Sequence, residues 1–157
     1  MDGACIYSYM TLIGTVSITE DGEGRITGVY LPSSNLPCMD DCETEALAEA
    51  GAQLNEYFSG RRKKFELDLY YEGSEFRTKV LDALQEIPFG ETRTYAEVAE
   101  MAGSPRAYRA VGTACAENPL PIFIPCHRVV PTSGGLGSYA GGSILKKRLL
   151  EGERSVL

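Results

Sequence analysis

Hydrophobic and polar positions change period along the chain, and each change marks an element. The segments CIYSYMTLIGTVSITE and RITGVYLP are dense in β-branched and aromatic side chains, with the turn composition EDGEG between them. That pattern predicts a small antiparallel sheet. From Glu43 to Phe58 the apolar residues Leu47, Ala50, Leu54, Tyr57 and Phe58 recur at helical spacing, and the run ends at Gly60. Next, KKFELDLYY alternates apolar with polar, as a strand with one exposed face does. Residues 1–72 therefore read as an antiparallel sheet with one packed helix.

Beyond this point the period is helical. Phe76, Val80, Leu81 and Leu84 form a stripe that stops at Ile87-Pro88, and PFGE follows as a turn. Thr94 and Glu97 make a capping box for a short helix from Tyr95 to about Met101, closed by Gly103. Ser104 as cap and Pro105 as first helical residue start another helix that reaches about Glu117, before Asn118-Pro119. Two short helices separated by about two residues around Gly103 have the form of a helix-turn-helix, and equally of an ordinary helical hairpin. PLPIFIPCHRVVP is expected to be extended, because its prolines oppose a helix. TSGGLGSYAGG, with five glycines in eleven residues, is backbone that bends tightly or approaches a ligand closely. A last helix runs from about Ser143 to Glu153. The fold class expected is α+β, with an N-terminal domain over 1–72 and a mainly helical C-terminal domain over 73–157.

Composition narrows the functional classes. At 157 residues, 43% hydrophobic and 24% charged, the chain has the make-up of a globular protein with one ordinary domain or two small ones. No apolar run reaches the ~18 residues of a membrane helix, and MDGACIYSYM lacks the features of a leader. No membrane partner and a cytoplasmic location are expected. The five cysteines, Cys5, Cys38, Cys42, Cys115 and Cys126, are odd in number and irregularly spaced, so reduced thiols are expected. One histidine and no Cys-x-x-Cys pair leave little for a metal, and neither metal nor cofactor is expected. The net charge of −7 is uneven: residues 1–73 hold 5 basic and 13 acidic side chains (−8), and residues 74–157 hold 10 and 9 (+1). The acidity belongs to the first half. The second half, with Arg106, Arg109 and the cluster Lys146-Lys147-Arg148, permits a phosphate-facing surface.

The segment IFIPCHRVV joins the single histidine, His127, to Cys126. A free cysteine with a pKa near 8.5 is only about 3% thiolate at pH 7, so a nucleophilic cysteine needs a proton acceptor. In extended backbone adjacent side chains point to opposite faces. Either the chain turns at Cys126, or a water carries the proton to His127. A carboxylate to orient the imidazole would come from Glu151 or Glu153 on the terminal helix. The dipeptide alone fits a buried, unreactive thiol equally well.

The wider segment, PCHRVV followed by a glycine-rich loop ending GSYAGG and a helix ending LLEGE, strongly resembles the methylated-DNA–protein-cysteine methyltransferases, the O6-alkylguanine-DNA alkyltransferase family. The resemblance covers about Phe76 to Glu153 and includes IPFGETRTYAEVAEMAGSPRAYRAVGTACAENPLPIFIPCHRVVP. It implies a ribonuclease-like N-terminal domain and a winged-helix-like C-terminal domain. It further implies single-turnover repair, in which Cys126 accepts a methyl or other alkyl group irreversibly from guanine O6, with O4-alkylthymine as a further substrate. His127 would deprotonate Cys126 through a water, Glu153 would orient His127, and Asn118 would support the turn carrying Cys126. Tyr95 would assist the leaving guanine and rotate its nucleotide out of the duplex. Arg109 would fill the gap left in the duplex, on a DNA-facing surface with Arg106, Ala107, Tyr108, Ala110 and Gly112. Tyr139, Ala140 and Pro121 would line the base pocket, with backbone groups of Cys126 and Val129 reading the base edge. The partner implied is double-stranded DNA carrying O6-alkylguanine, bound by a monomer without a small-molecule cofactor.

Two departures from the family pattern stand out. Tyr108 occupies a position where alanine is common, and a second basic residue often found on that helix is missing around Ala116 and Glu117. Weaker DNA binding than in typical members is expected. The competing functions are a non-catalytic sensor of alkylated DNA, like the family's alkyltransferase-like proteins, and a redox- or metal-responsive regulator. The sensors lack the acceptor cysteine that Cys126 supplies here. The regulator leaves the glycine-rich loop, Tyr95 and Arg109 without a shared purpose.

Overall fold

Strands β1 (Cys5–Thr11) and β2 (Gly14–Glu20) pair antiparallel from Cys5 opposite Glu20 to Thr11 opposite Gly14. Strand β3 (Ile26–Tyr30) adds antiparallel to β2. The computed structural model describes residues 3–156, which divide into two compact units meeting in sequence at Tyr71 and Glu72. A fourth strand, β4 (Asp40–Asp41), joins β1 in parallel, so the sheet order is β3-β2-β1-β4 and the sheet is mixed rather than purely antiparallel. Helix α1 (Glu45–Phe58), capped by Thr44, packs its buried face of Leu47, Ala50, Leu54 and Tyr57 on this sheet, whose buried residues include Val16, Ile18 and Val29. Gly51 lets the helix come close: a Cβ there would stand 2.7 Å from the ring of Tyr9.

KKFELDLYY is not a strand. Its inward and outward positions do alternate, but only Leu69 bridges to Ile26, through Ile26 N–H donating to Asp68 O (2.7 Å) and Tyr70 N–H donating to Ile26 O (2.8 Å). Alternation is satisfied by any half-buried extended segment, whether or not a ladder forms.

The expectation of reduced thiols fails at one pair. β4 lies beside the start of β1, which brings Cys42 to Cys5, and the two form a disulfide with a Cα–Cα separation of 5.6 Å. Cys38, Cys115 and Cys126 are free. Spacing along the chain carries no information about a contact that a parallel strand pair makes between cysteines 37 residues apart. The loop it closes predicts that Cys5→Ser with Cys42→Ser lowers the stability of the N-terminal unit by about 3–4 kcal/mol. The check is the urea midpoint of the variant against the oxidised protein.

The second unit is built from α2 (Glu75–Leu84), α3 (Tyr95–Met101) and α4 (Tyr108–Ala116), which pack on one another, and α5 (Ser143–Val156). α3 begins with the expected capping box of Thr94 and Glu97. α4 begins later than expected, at Tyr108 rather than Pro105. Ser104 and Pro105 enter a turn closed by Ala107 N–H donating to Ser104 O (2.9 Å), so the link between the helices spans residues 102–107. α5 runs on past Gly152 to Val156, which seats Glu153 inside the helix.

PLPIFIPCHRVVP also departs from expectation. Ile124 N–H donates to Leu120 O (2.8 Å), and Cys126–Arg128 form one 3₁₀ turn. Prolines exclude a long helix but not single turns, and every residue from Leu120 to Val129 is buried. Strand β6 (Val129–Val130) follows and pairs in parallel with β5 (Arg93–Thr94).

Candidate active site

Cys126 owes its position to two local devices. Asn118 Nδ2 donates to Ile124 O (3.0 Å), and Leu120 N–H donates to Asn118 Oδ1 (2.9 Å), so one buried amide clamps the loop that enters the turn. Within that loop Ile122 holds φ 76°, a left-handed conformation that β-branched residues rarely adopt. The β5–β6 pairing then sets the start of α3 beside the exit of the turn, which carries Tyr95 to the thiol.

The thiol lines a cavity of about 130 Å³ whose walls include Tyr95, Gly112, Cys115, Tyr139 and Ala140. Gly137, in the glycine-rich wall, adopts φ +74°, and a Cβ there would stand 3.1 Å from Tyr95 Oη. Tyr139 Oη is buried without a hydrogen-bond partner among the described residues. Val129 and Pro121, expected in this pocket, do not line it. Val129 lies behind the turn, where its carbonyl accepts from Lys146 Nζ at 2.6 Å, and Pro121 is buried in the loop clamped by Asn118.

A groove of about 610 Å³ is lined by Tyr95, Tyr108, Arg109, Gly112 and Gly137 among others, and it shares Tyr95, Gly112 and Ser138 with the cavity. Arg109 and Ala110 are exposed on α4, and Tyr108 is 48% exposed at its first position. Ala107 is the helix cap; with Arg106 it borders a separate hollow over the preceding turn.

Behind the thiol stands a buried polar group. His127 Nε2 and Glu153 Oε2 are 2.6 Å apart, and Glu153 also accepts from Arg128 Nε (2.9 Å), Arg128 Nη2 (3.1 Å) and Gly90 N–H (3.0 Å). Burial raises the Glu153 carboxyl, but the hydrogen bonds and charges of His127 and Arg128 outweigh it and bring the pKa down to about 2. Burial lowers His127, whose imidazole is therefore neutral near pH 7. With its proton on Nε2 facing the carboxylate, Nδ1 is the acceptor nitrogen. The Cys126 thiol is pushed up by burial, while Asn118 and Lys146 pull it down. A thiol beside a neutral imidazole held by an ionised carboxylate is equipped to lose its proton on demand and attack an electrophile.

Arg128 and Lys146 escaped the sequence reading. Arg128 also donates through Nη1 to Ile87 O (2.7 Å), which ties the carboxylate's partner to the segment after α2. Lys146 was grouped with Lys147 and Arg148 as a basic surface cluster, but it is fully buried and only its two neighbours are exposed. The signal was present: Lys146, Leu149, Leu150 and Glu153 fall on one helical stripe.

Comparison with known proteins gives the family. Residues 75–155 match the family model described as "6-O-methylguanine DNA methyltransferase, DNA binding domain". The constitutive methylated-DNA–protein-cysteine methyltransferase of Bacillus subtilis is 45% identical over 152 residues, 92% of each chain. That of Methanosarcina barkeri is 52% identical over 109 residues, 69% of each. Among solved structures, Mycobacterium tuberculosis OGT crystallised in complex with DNA superposes with a TM-score of 0.90 at 36% identity, covering 97% of this chain and 94% of that one. The fold and these matches define a DNA-repair methyltransferase with a DNA-binding domain. The chain belongs to the methylated-DNA–protein-cysteine methyltransferase family.

Proposed function

We propose that this protein repairs duplex DNA by moving an alkyl group from guanine O6 to Cys126 Sγ, once per molecule, as a monomer. The observation that carries it is the position of Cys126, lining the cavity with the His127–Glu153 pair nearby and the groove that Arg109 lines adjoining it. As the S–C bond forms and the O6–C bond breaks, the thiol proton passes through a water to His127. The charge developing on the guanine oxygen is neutralised by a donor, the role proposed for Tyr95. The thioether product has no good leaving group, so the reaction stops after one turnover.

A base inside the stack cannot reach a thiol in a cavity of this kind, so the nucleotide is extruded, at a cost of a few kcal/mol. Arg109 on α4, exposed beside the mouth of the cavity, suits the gap it leaves, and insertion from the minor groove offsets part of the unstacking cost. The buried hydroxyl of Tyr139, together with Ala140, suits recognition of the base edge. O4-alkylthymine offers the same type of electrophile and is included in the substrate class.

Incubation with duplex DNA carrying O6-methylguanine, followed by intact-protein and peptide masses, tests the assignment. A gain of about 14 Da, one CH₂, on the Cys126 peptide is expected. Tight lesion binding without a mass gain would instead make the protein a damage sensor, and indifference to the lesion would remove both readings. Tyr108, bulky and exposed next to Arg109, restricts close approach of α4 to the groove. Tyr108→Ala is expected to tighten duplex binding, measured by fluorescence anisotropy, without changing the slope of log affinity against log salt, because no phosphate contact is gained.

A further inference from the structure

Lys146 is a buried charge for which the reaction as described has no use. Its side chain is 0% exposed. Nζ donates to Val129 O (2.6 Å) and Ser138 O (3.4 Å) and lies 5.9 Å from the centroid of the Tyr95 ring. Those contacts join the strand behind Cys126, the glycine-rich wall of the cavity and the start of α3. The carboxylate on the same helical stripe, Glu153, is taken by His127 and Arg128, and among the described residues no carboxylate pairs with Lys146. Arg128 and Glu153 neutralise each other, which leaves the ammonium without an anion. A buried ammonium held only by carbonyl oxygens is costly, and such a group is retained where its charge has a use.

We propose that Lys146 is a positioning residue for alkyl transfer: it ties the glycine-rich wall to the strand behind Cys126 and supplies the counter-charge for the thiolate. This rests on Cys126 being the acceptor. The titratable groups facing the ammonium are Cys126 and His127 from the 3₁₀ turn, Cys115 from α4 and Tyr95 from α3. Burial pushes the Cys115 thiol up to about 12, raises Tyr95 and lowers His127, so all three are neutral near pH 7. Cys126 is the group left to present a negative charge, and it does so at the moment of attack. Lys146 in turn favours that thiolate, against the burial that disfavours it.

The test follows Cys126 carbamidomethylation by iodoacetamide against pH, read from the mass of the Cys126 peptide, in wild type, Lys146→Met and Lys146→Arg. Lys146→Met is expected to move the midpoint alkaline by about one pH unit, a tenfold slower reaction at neutral pH. Lys146→Arg is expected to return it toward wild type. A Lys146→Met midpoint equal to that of wild type overturns the proposal. Should Lys146→Met fail to fold, the ¹³Cε resonance of Lys146 is titrated in wild type and in Cys126→Ser. Loss of the thiolate is expected to lower the lysine midpoint, and an unchanged midpoint overturns the proposal. Neither assay contains DNA, so failure of wild type to take an alkyl group from O6-methylguanine would refute the repair function while leaving the role of Lys146 decided by its own outcome.

Discussion

Cys126→Ser protein is expected to bind duplex DNA containing O6-methylguanine and to gain no mass. An unactivated serine hydroxyl ionises far less readily than a thiol, and a neutral imidazole draws off too little of its proton to make a nucleophile for an alkyl carbon. The substitution removes one sulfur from the cavity and leaves Tyr95, Arg109 and Tyr139 in place, so binding should persist. Intact mass after incubation, with anisotropy on the same samples, checks both halves of the expectation. A mass gain elsewhere in the variant, on Cys115 in the same cavity, would move the acceptor role to that thiol.

Glu153→Gln is expected to reduce both stability and rate. The carboxylate accepts from His127, from Arg128 twice and from Gly90 N–H, all in a site closed to solvent. Gln leaves Arg128 buried without an anion, which costs about 3–5 kcal/mol. It also removes the charge that supports a protonated His127, so the single-turnover rate should fall by about 10²–10⁴ if the imidazole is the general base. Urea midpoints and quenched-flow transfer assays separate the effects. Adding Arg128→Met is expected to restore part of the stability and none of the rate, since it removes the orphaned cation but returns no base. The pH dependence has a definite sign. A carboxyl lowered in the folded protein contributes stability that is complete above its unfolded pKa and is lost as pH falls through its folded value. For Glu153 that loss runs from the ordinary carboxylate range down to about pH 2 in wild type, and the step is absent in Glu153→Gln.

Much of the architecture is legible in the sequence. The capping box at Thr94 and Glu97 and the apolar stripe of α2 are local devices, decided by residues within a few positions of one another. The segment around Cys126 and His127 carries its family likeness in contiguous residues for the same reason. The structure departs from the pattern at a competing local turn and at a strand left without a ladder. Pro105 had the composition of a first helical residue, yet Ser104 through Ala107 closed into a turn instead. KKFELDLYY alternated correctly but found only a single bridge to pair with.

The sequence alone determined which segments are helical, the capping box of α3, the α+β class and the motif that holds Cys126 and His127. Tertiary structure decided that Cys5 meets Cys42, that Tyr95 reaches the thiol through the β5–β6 pairing, that His127 shares Glu153 with Arg128, and that Lys146 turns inward. The physical reason is one of range. Periodicity and capping report which face of an element leaves water, while the partner that a buried charge or thiol meets is set by segments that arrive from elsewhere in the chain.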